Sequence, residues 1–197
     1  MTPQQDPGAI KSAIRRKYAE VAVSAAGKFQ YPTGREGAEL LGYDRALIQS
    51  APPQLLDSFC GVGNPFLLGE IRRGSVVLDV GCGAGFDMYV AGWLAGDQGR
   101  VCGIDLTDDM ASLARKNLSG ISNVEVKTVD TEHIPYPDHS FDVVISNGVI
   151  NLSPSKQTTF KEIYRVLKPG GTLQFADVVL EKDLPASLAG SAEAWSQ

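Results

Sequence analysis

Apolar positions along the chain change their period near residue 75. Before it, residues 11–26 carry Ile14, Tyr18, Val21, Ala22 and Ala25 at helical spacing, a narrow stripe that Gly27 ends. Tyr31-Pro32-Thr33-Gly34 reads as a turn, 35–41 as a short helix closed by Gly42, and Ser50-Ala51-Pro52-Pro53 as a helix start. Residues 60–65 form a glycine-rich loop, and the first nine residues are expected to be loose. After residue 75, short β-branched runs take over at 76–80, 101–105, 124–129, 141–146 and 172–178. Helical patterns at 86–94, 108–118 and 155–167 separate them. Strands alternating with helices predict a parallel sheet covered on both faces. With right-handed crossovers the fold class is α/β, a Rossmann-like, doubly wound and mainly parallel sheet. An N-terminal helical arm or lid (1–70) precedes the core (71–182), and a short tail (183–197) follows.

Composition narrows the function classes. The chain has 197 residues, is 43% hydrophobic and 21% charged, and carries a formal charge of -5. Those values fit one globular domain. An acidic chain without a basic stripe argues against nucleic acid as a partner. No apolar run approaches the ~20 residues of a membrane span, and the N-terminus lacks a secretory pattern. Three scattered cysteines (Cys60, Cys82, Cys102) make neither a disulfide framework nor a zinc site, so no metal is expected and a reduced, cytoplasmic compartment is.

The chemistry concentrates after the first strand. Asp79-Val80-Gly81-Cys82-Gly83-Ala84-Gly85 joins a strand to a helix, where glycines admit a tight turn and close approach of a ligand. A purely structural turn would explain such a loop as well. The second strand, however, ends in Asp105, about 20 residues on, where a carboxylate accepts the hydroxyls of a ribose. The spacing is G-x-G-x-G rather than the dinucleotide G-x-G-x-x-G, and Asp79 precedes it. A carboxylate there repels a pyrophosphate and attracts an ammonium, which favours a nucleoside carrying an amino acid.

These residues resemble motif I of the class I S-adenosylmethionine-dependent methyltransferases. The resemblance continues through Gly103-Ile104-Asp105, Phe141-Asp142-Val143-Val144 and Arg165-Val166-Leu167-Lys168-Pro169-Gly170-Gly171. More narrowly, Gly63-Asn64-Pro65, Gly85-Phe86-Asp87, the segment Ile145 to Pro154, and Ala176-Asp177-Val178-Val179 are similar to arsenite methyltransferases. The resemblance implies S-adenosyl-L-methionine as cofactor, S-adenosyl-L-homocysteine as product and a small-molecule acceptor. It puts Gly81, Cys82, Gly83 and Gly85 under the methionine part and Asp79 on its ammonium side. It puts Asp105 on the ribose, Leu106 and Thr107 beside the adenine, Asp130 on the adenine amino group and the Thr131 backbone on the ring edge. The backbone carbonyl of Asn147 meets the cofactor's amino group, and Tyr18 covers the cofactor from the first helix.

The chain also departs from that family. Its metalloid-binding thiolates correspond here to Val62, directly before Gly63-Asn64-Pro65, and to Gly148; a third lies beyond the fifth strand. Arsenite is therefore the less favoured acceptor, and Cys60 replaces a ligand only if its loop is rebuilt. Residues 181–197 are too few for two further strands, so the C-terminal end reads as truncated. No general base is assigned: His133 reads as an exposed loop residue, and Asp87 and Asn151 as candidate linings of the acceptor pocket, with Asp87 equally a first-turn helix residue. Two other classes stay open, a nicotinamide-dependent oxidoreductase and a non-catalytic cofactor-binding subunit. Oligomeric state is not legible.

Overall fold

A computed structural model describes residues 6–179 and 181. Five strands alternate with helices: β1 (Val76–Val80), α5 (Phe86–Ala95), β2 (Arg100–Asp105), α6 (Asp108–Asn117), β3 (Val124–Thr128), β4 (Phe141–Asn147), α7 (Lys156–Val166) and β5 (Leu167–Ala176). The spatial order is β3-β2-β1-β4-β5 and every pairing is parallel. The order reverses at β1, so the crevice beyond the carboxyl ends of β1 and β4 is the place such sheets bind ligands.

Period-two alternation in β1 sends Val77 to one face and Leu78 to the other, both fully buried. Leu78, Ile104, Phe141, Val144, Ile163 and Val166 form the core under α7. Val77, Met88, Val101, Val143 and Ile145 form the opposite core. That second core extends into the arm. The helices α2 (Gly34–Leu40), α3 (Arg45–Ser50) and α4 (Pro53–Asp57) bring Tyr43, Leu47, Ile48, Leu55 and Leu56 against it, and Tyr43, Phe59 and Phe86 meet ring to ring at centroid distances of 5.1 to 5.5 Å.

Three details differ from the sequence expectations. The N-terminus is helical from residue 7: α1 spans Pro7–Val23, with Pro at its start and Asp6 Oδ1 accepting from the Gly8 N–H at 2.9 Å. The helix α3 was not foreseen; Asp44 caps it, accepting from the Ala46 N–H at 2.7 Å. The fifth strand begins at Leu167, directly after α7, and absorbs the Lys168-Pro169-Gly170-Gly171 turn as an irregularity between Phe141↔Leu167 and Val143↔Thr172. The expected tail, 183–197, lies outside the described residues. No helix among them is long and apolar enough to cross a membrane.

Candidate functional site

A cleft with about 700 Å³ of empty space, partly open to solvent, lies over the carboxyl ends of β1, β2 and β4. Its floor is the loop after β1. The N–H groups of Gly81 and Cys82 both donate to the Ile104 carbonyl, at 2.8 and 3.0 Å, which folds the loop back onto β2. Gly83 has φ +51° and open space where a Cβ would stand, so its backbone faces the cleft uncovered. Gly85 has φ +95° and a different task. A Cβ there would stand 2.8 Å from Leu118 Cδ1, so this glycine lets α5 start against the end of α6.

Of the expected site residues, Tyr18, Gly81, Gly83, Asp105, Leu106, Thr107, Asp130, Thr131 and Asn147 line this one cleft. Asp79, Cys82 and Gly85 do not; they stand behind its floor. Cys82 is 5% exposed and packs on Gly103, and Asp79 is 2% exposed.

Asp105 holds the two loops together. Its Oδ2 accepts from the Gly83 N–H at 2.9 Å and its Oδ1 from the Thr107 N–H at 2.8 Å. Burial pushes its pKa up, and those backbone donors oppose the shift. The Thr107 side chain bonds the carboxylate as well, and of the four lone-pair sites of a carboxylate these three bonds leave capacity for a hydroxyl donor.

Asp79 sits deeper. Its Oδ2 is buried without a partner among the described residues. Burial, then the nearby charges of Asp87 and Asp105, push its pKa well up. Asp87, at the first turn of α5, accepts from the Tyr43 hydroxyl at 2.6 Å and from Asn147 Nδ2 at 3.1 Å. Burial outweighs those two bonds and raises its pKa to about 6.

The side chain of Asn147 has a role the sequence did not suggest. Its Oδ1 accepts from the N–H groups of Val62 and Gly63, at 2.8 and 3.1 Å, and its Nδ2 donates to the Gly63 carbonyl at 2.9 Å. It clamps the 61–63 loop to the end of β4. A Cβ on Gly61 would stand 2.3 Å from that amide, so only glycine lets the loop lie there.

The wall beyond Asn147 is mostly apolar. Gly148, Val149, Leu152 and Pro154 line it, with Ser153 among them. A Cβ on Gly148 would stand 3.3 Å from Val62, so the two positions at which the sequence resemblance expects thiolates are neighbours in space and carry no sulfur. Cys60 lines the cleft, and burial followed by the Asp105 charge raises its thiol to about 12, against a lowering influence of Lys17. It is a protonated thiol at neutral pH. Tyr31 donates to the Cys60 carbonyl at 3.0 Å and stacks near Phe29, which meets Tyr18. His133 is exposed and lies outside the cleft; Asp87 also lies outside it, but is buried. Among the described residues no group of three His, Cys, Asp or Glu side chains is placed to hold a metal ion.

A parallel sheet in this order, a glycine floor and an aspartate closing β2 define a class, and comparison with known proteins agrees with it. Residues 71–197 match the family described as Methyltransferase domain, and the chain belongs to that family, with its Rossmann-like fold. Within it, the particular likeness is to arsenite methyltransferases. The chain is 37% identical to that of Halobacterium salinarum, over 94% of this chain and 51% of the relative. It is 41% identical to that of Aquipseudomonas alcaligenes, over 66% of this chain and 39% of the relative. The crystal structure of an arsenic (III) S-adenosylmethionine methyltransferase from Chlamydomonas reinhardtii superposes with a TM-score of 0.67 at 37% identity, covering 77% of this chain and 56% of that one. The chain thus spans about half the length of these proteins.

Proposed function

We propose that the chain is the S-adenosylmethionine-binding part of a methyltransferase acting on a small-molecule acceptor. The observation that carries this reading is a set of carboxylates with unused acceptor capacity, two lining one cleft and one, Asp79, behind its floor. Asp130 Oδ1 and Asp79 Oδ2 are both buried without a hydrogen-bond partner, and Asp105 stands between their loops with lone pairs to spare. An adenine amino group, a ribose and an ammonium are donors that fit these three acceptors, and the open backbone at Gly83 leaves room for the chain that joins them. A nicotinamide dinucleotide would put a pyrophosphate near Asp79, which repels it.

When bound, S-adenosylmethionine supplies a methyl group already activated by its sulfonium. The chain's residues then bind and orient. Asp105 and Asp130 fix the nucleoside, the Gly81–Gly83 backbone cradles the amino-acid arm, and Tyr18 with the arm keeps water from the cleft. The acceptor enters beside Gly148 and Val149. It carries its own nucleophile, because Cys60 is protonated and Glu132, the carboxylate nearest that wall, is engaged by Lys11 and the Ser153 hydroxyl. Val62 and Gly148 offer no thiolate pair, so we place arsenite behind a carbon, oxygen or nitrogen nucleophile as acceptor. Three free cysteines suit a reducing, cytoplasmic setting.

Formation of S-adenosylhomocysteine, measured with arsenite plus glutathione beside a panel of phenols, enols and amines, tests the proposal. Turnover is expected with a member of the panel and not with arsenite. Rapid arsenite methylation contradicts the acceptor assignment, and hydride exchange with a nicotinamide cofactor contradicts the class of reaction.

A further inference from the structure

Lys11 reaches the cleft from the arm. Lys11 lies on α1 one turn before Ile14 and two before Tyr18, so the three share a helix face, and all line the cleft. Its ammonium is 3.2 Å from Asp130 Oδ2 and 2.8 Å from Glu132 Oε2. Glu132 is anchored in turn, accepting at Oε1 from the Ser153 hydroxyl at 2.7 Å. Four residues along α1, Arg15 Nε donates to the Leu106 carbonyl at 3.4 Å. The arm helix is therefore fastened to both loops that would frame a nucleobase, the one after β2 and the one after β3. Burial works against the Lys11 charge, but Glu132 and Asp130 more than restore it, so the ammonium stays charged. With Oδ2 committed to Lys11, Asp130 has its other oxygen, Oδ1, buried and free to accept.

We propose that Lys11 is a positioning residue for base recognition: by holding Oδ2 of Asp130, it presents Oδ1 to an exocyclic amino group of the ligand and keeps α1 seated as the wall of the cleft. The inference rests on the cofactor reading above. Without the clamp the carboxylate rotates between its two oxygens and hydrates. With it, a single acceptor points at the base. An amino group donates there, whereas a base bearing a carbonyl at the same place sets lone pair against lone pair and leaves Oδ1 unpaired. A merely structural ion pair would hold the helix but would not discriminate between bases.

The test is calorimetric titration of the full chain with S-adenosylhomocysteine and with its deaminated analogue S-inosylhomocysteine, beside Lys11→Met and Lys11→Arg, at low and high salt. Wild type should prefer the adenine ligand by about tenfold or more, the size of one lost amino hydrogen bond at a built acceptor. Lys11→Met should weaken the adenine ligand roughly fivefold and leave the analogue nearly unchanged, so that the preference collapses. Lys11→Arg should keep most of it, since a guanidinium also bridges two carboxylates. Added salt should weaken wild type more than Lys11→Met. An unaltered preference in a folded Lys11→Met, or equal weakening of both ligands, overturns the proposal while leaving the cofactor reading intact. Failure of wild type to bind either ligand overturns that reading and this proposal with it.

Discussion

At the scale of single residues, the site is defined by which polar atoms are used and which are spare. Asp87 is the clearest case with a pH signature. Its folded pKa, about 6, lies above the ordinary carboxylate value of 3.8, so the folded state holds a proton that the unfolded chain releases. The stabilising contribution of that proton is complete below about pH 4 and is lost as pH rises through 6. The loss is of order 3 kcal/mol, from about two units at 1.36 kcal/mol each. Asp87→Asn should remove this dependence. The difference in unfolding free energy between variant and wild type, followed by urea titration, should move in the variant's favour from pH 4 to pH 7, and a constant difference would count against the assignment. The thiols make a second case. Cys82 and Cys102 are buried and Cys60 is protonated, so arsenite should bind the chain only weakly, without a stoichiometric endpoint in calorimetry. A sharp one-to-one endpoint at micromolar protein would mean that the loop at Val62 rearranges to bring thiols together.

At the scale of elements, the unit β1–loop–α5 was legible in the sequence because two independent signals coincide there. A β-branched run stops at Val80, and glycines begin at Gly81. Gly85 tests the packing reason for that glycine. Ala at this position meets both a left-handed φ of +95° and Leu118 at 2.8 Å, so Gly85→Ala should cost about 1–3 kcal/mol. At this chain length that is a fall in Tm of several degrees, and an unchanged Tm would mean the helix start is not so tightly fitted. The elements that escaped the sequence are those with few periods or a misleading breaker. With six residues, α3 completes fewer than two turns, too short for a stripe to register. The Lys168-Pro169-Gly170-Gly171 segment reads as a turn, yet pairing of Leu167 with Phe141 carries β5 through it. The start of α1 at Pro7 was hidden behind prolines and glycine that cap a helix as readily as they break one. Tertiary contacts were invisible for the same reason: nothing local ties Lys11 to Asp130, or the amide of Asn147 to the 61–63 loop.

At the scale of the whole molecule, topology does what no single motif does. The reversal of strand order at β1 brings the ends of β1, β2 and β4 to one crevice, and the arm closes it by two routes, α1 over the cleft and α2 to α4 fused into the core beside α5. Residues far apart in sequence, from Tyr18 to Asn147, thereby line one space. The most direct test of this arrangement is calorimetric titration with S-adenosylhomocysteine and with NADH, on wild type and on Asp105→Ala checked for folding by circular dichroism. Selective binding of S-adenosylhomocysteine, weakened about a hundredfold or more by loss of the two hydroxyl acceptors, is the expected result. Binding of NADH in preference, or undiminished binding by a folded Asp105→Ala, would contradict the account.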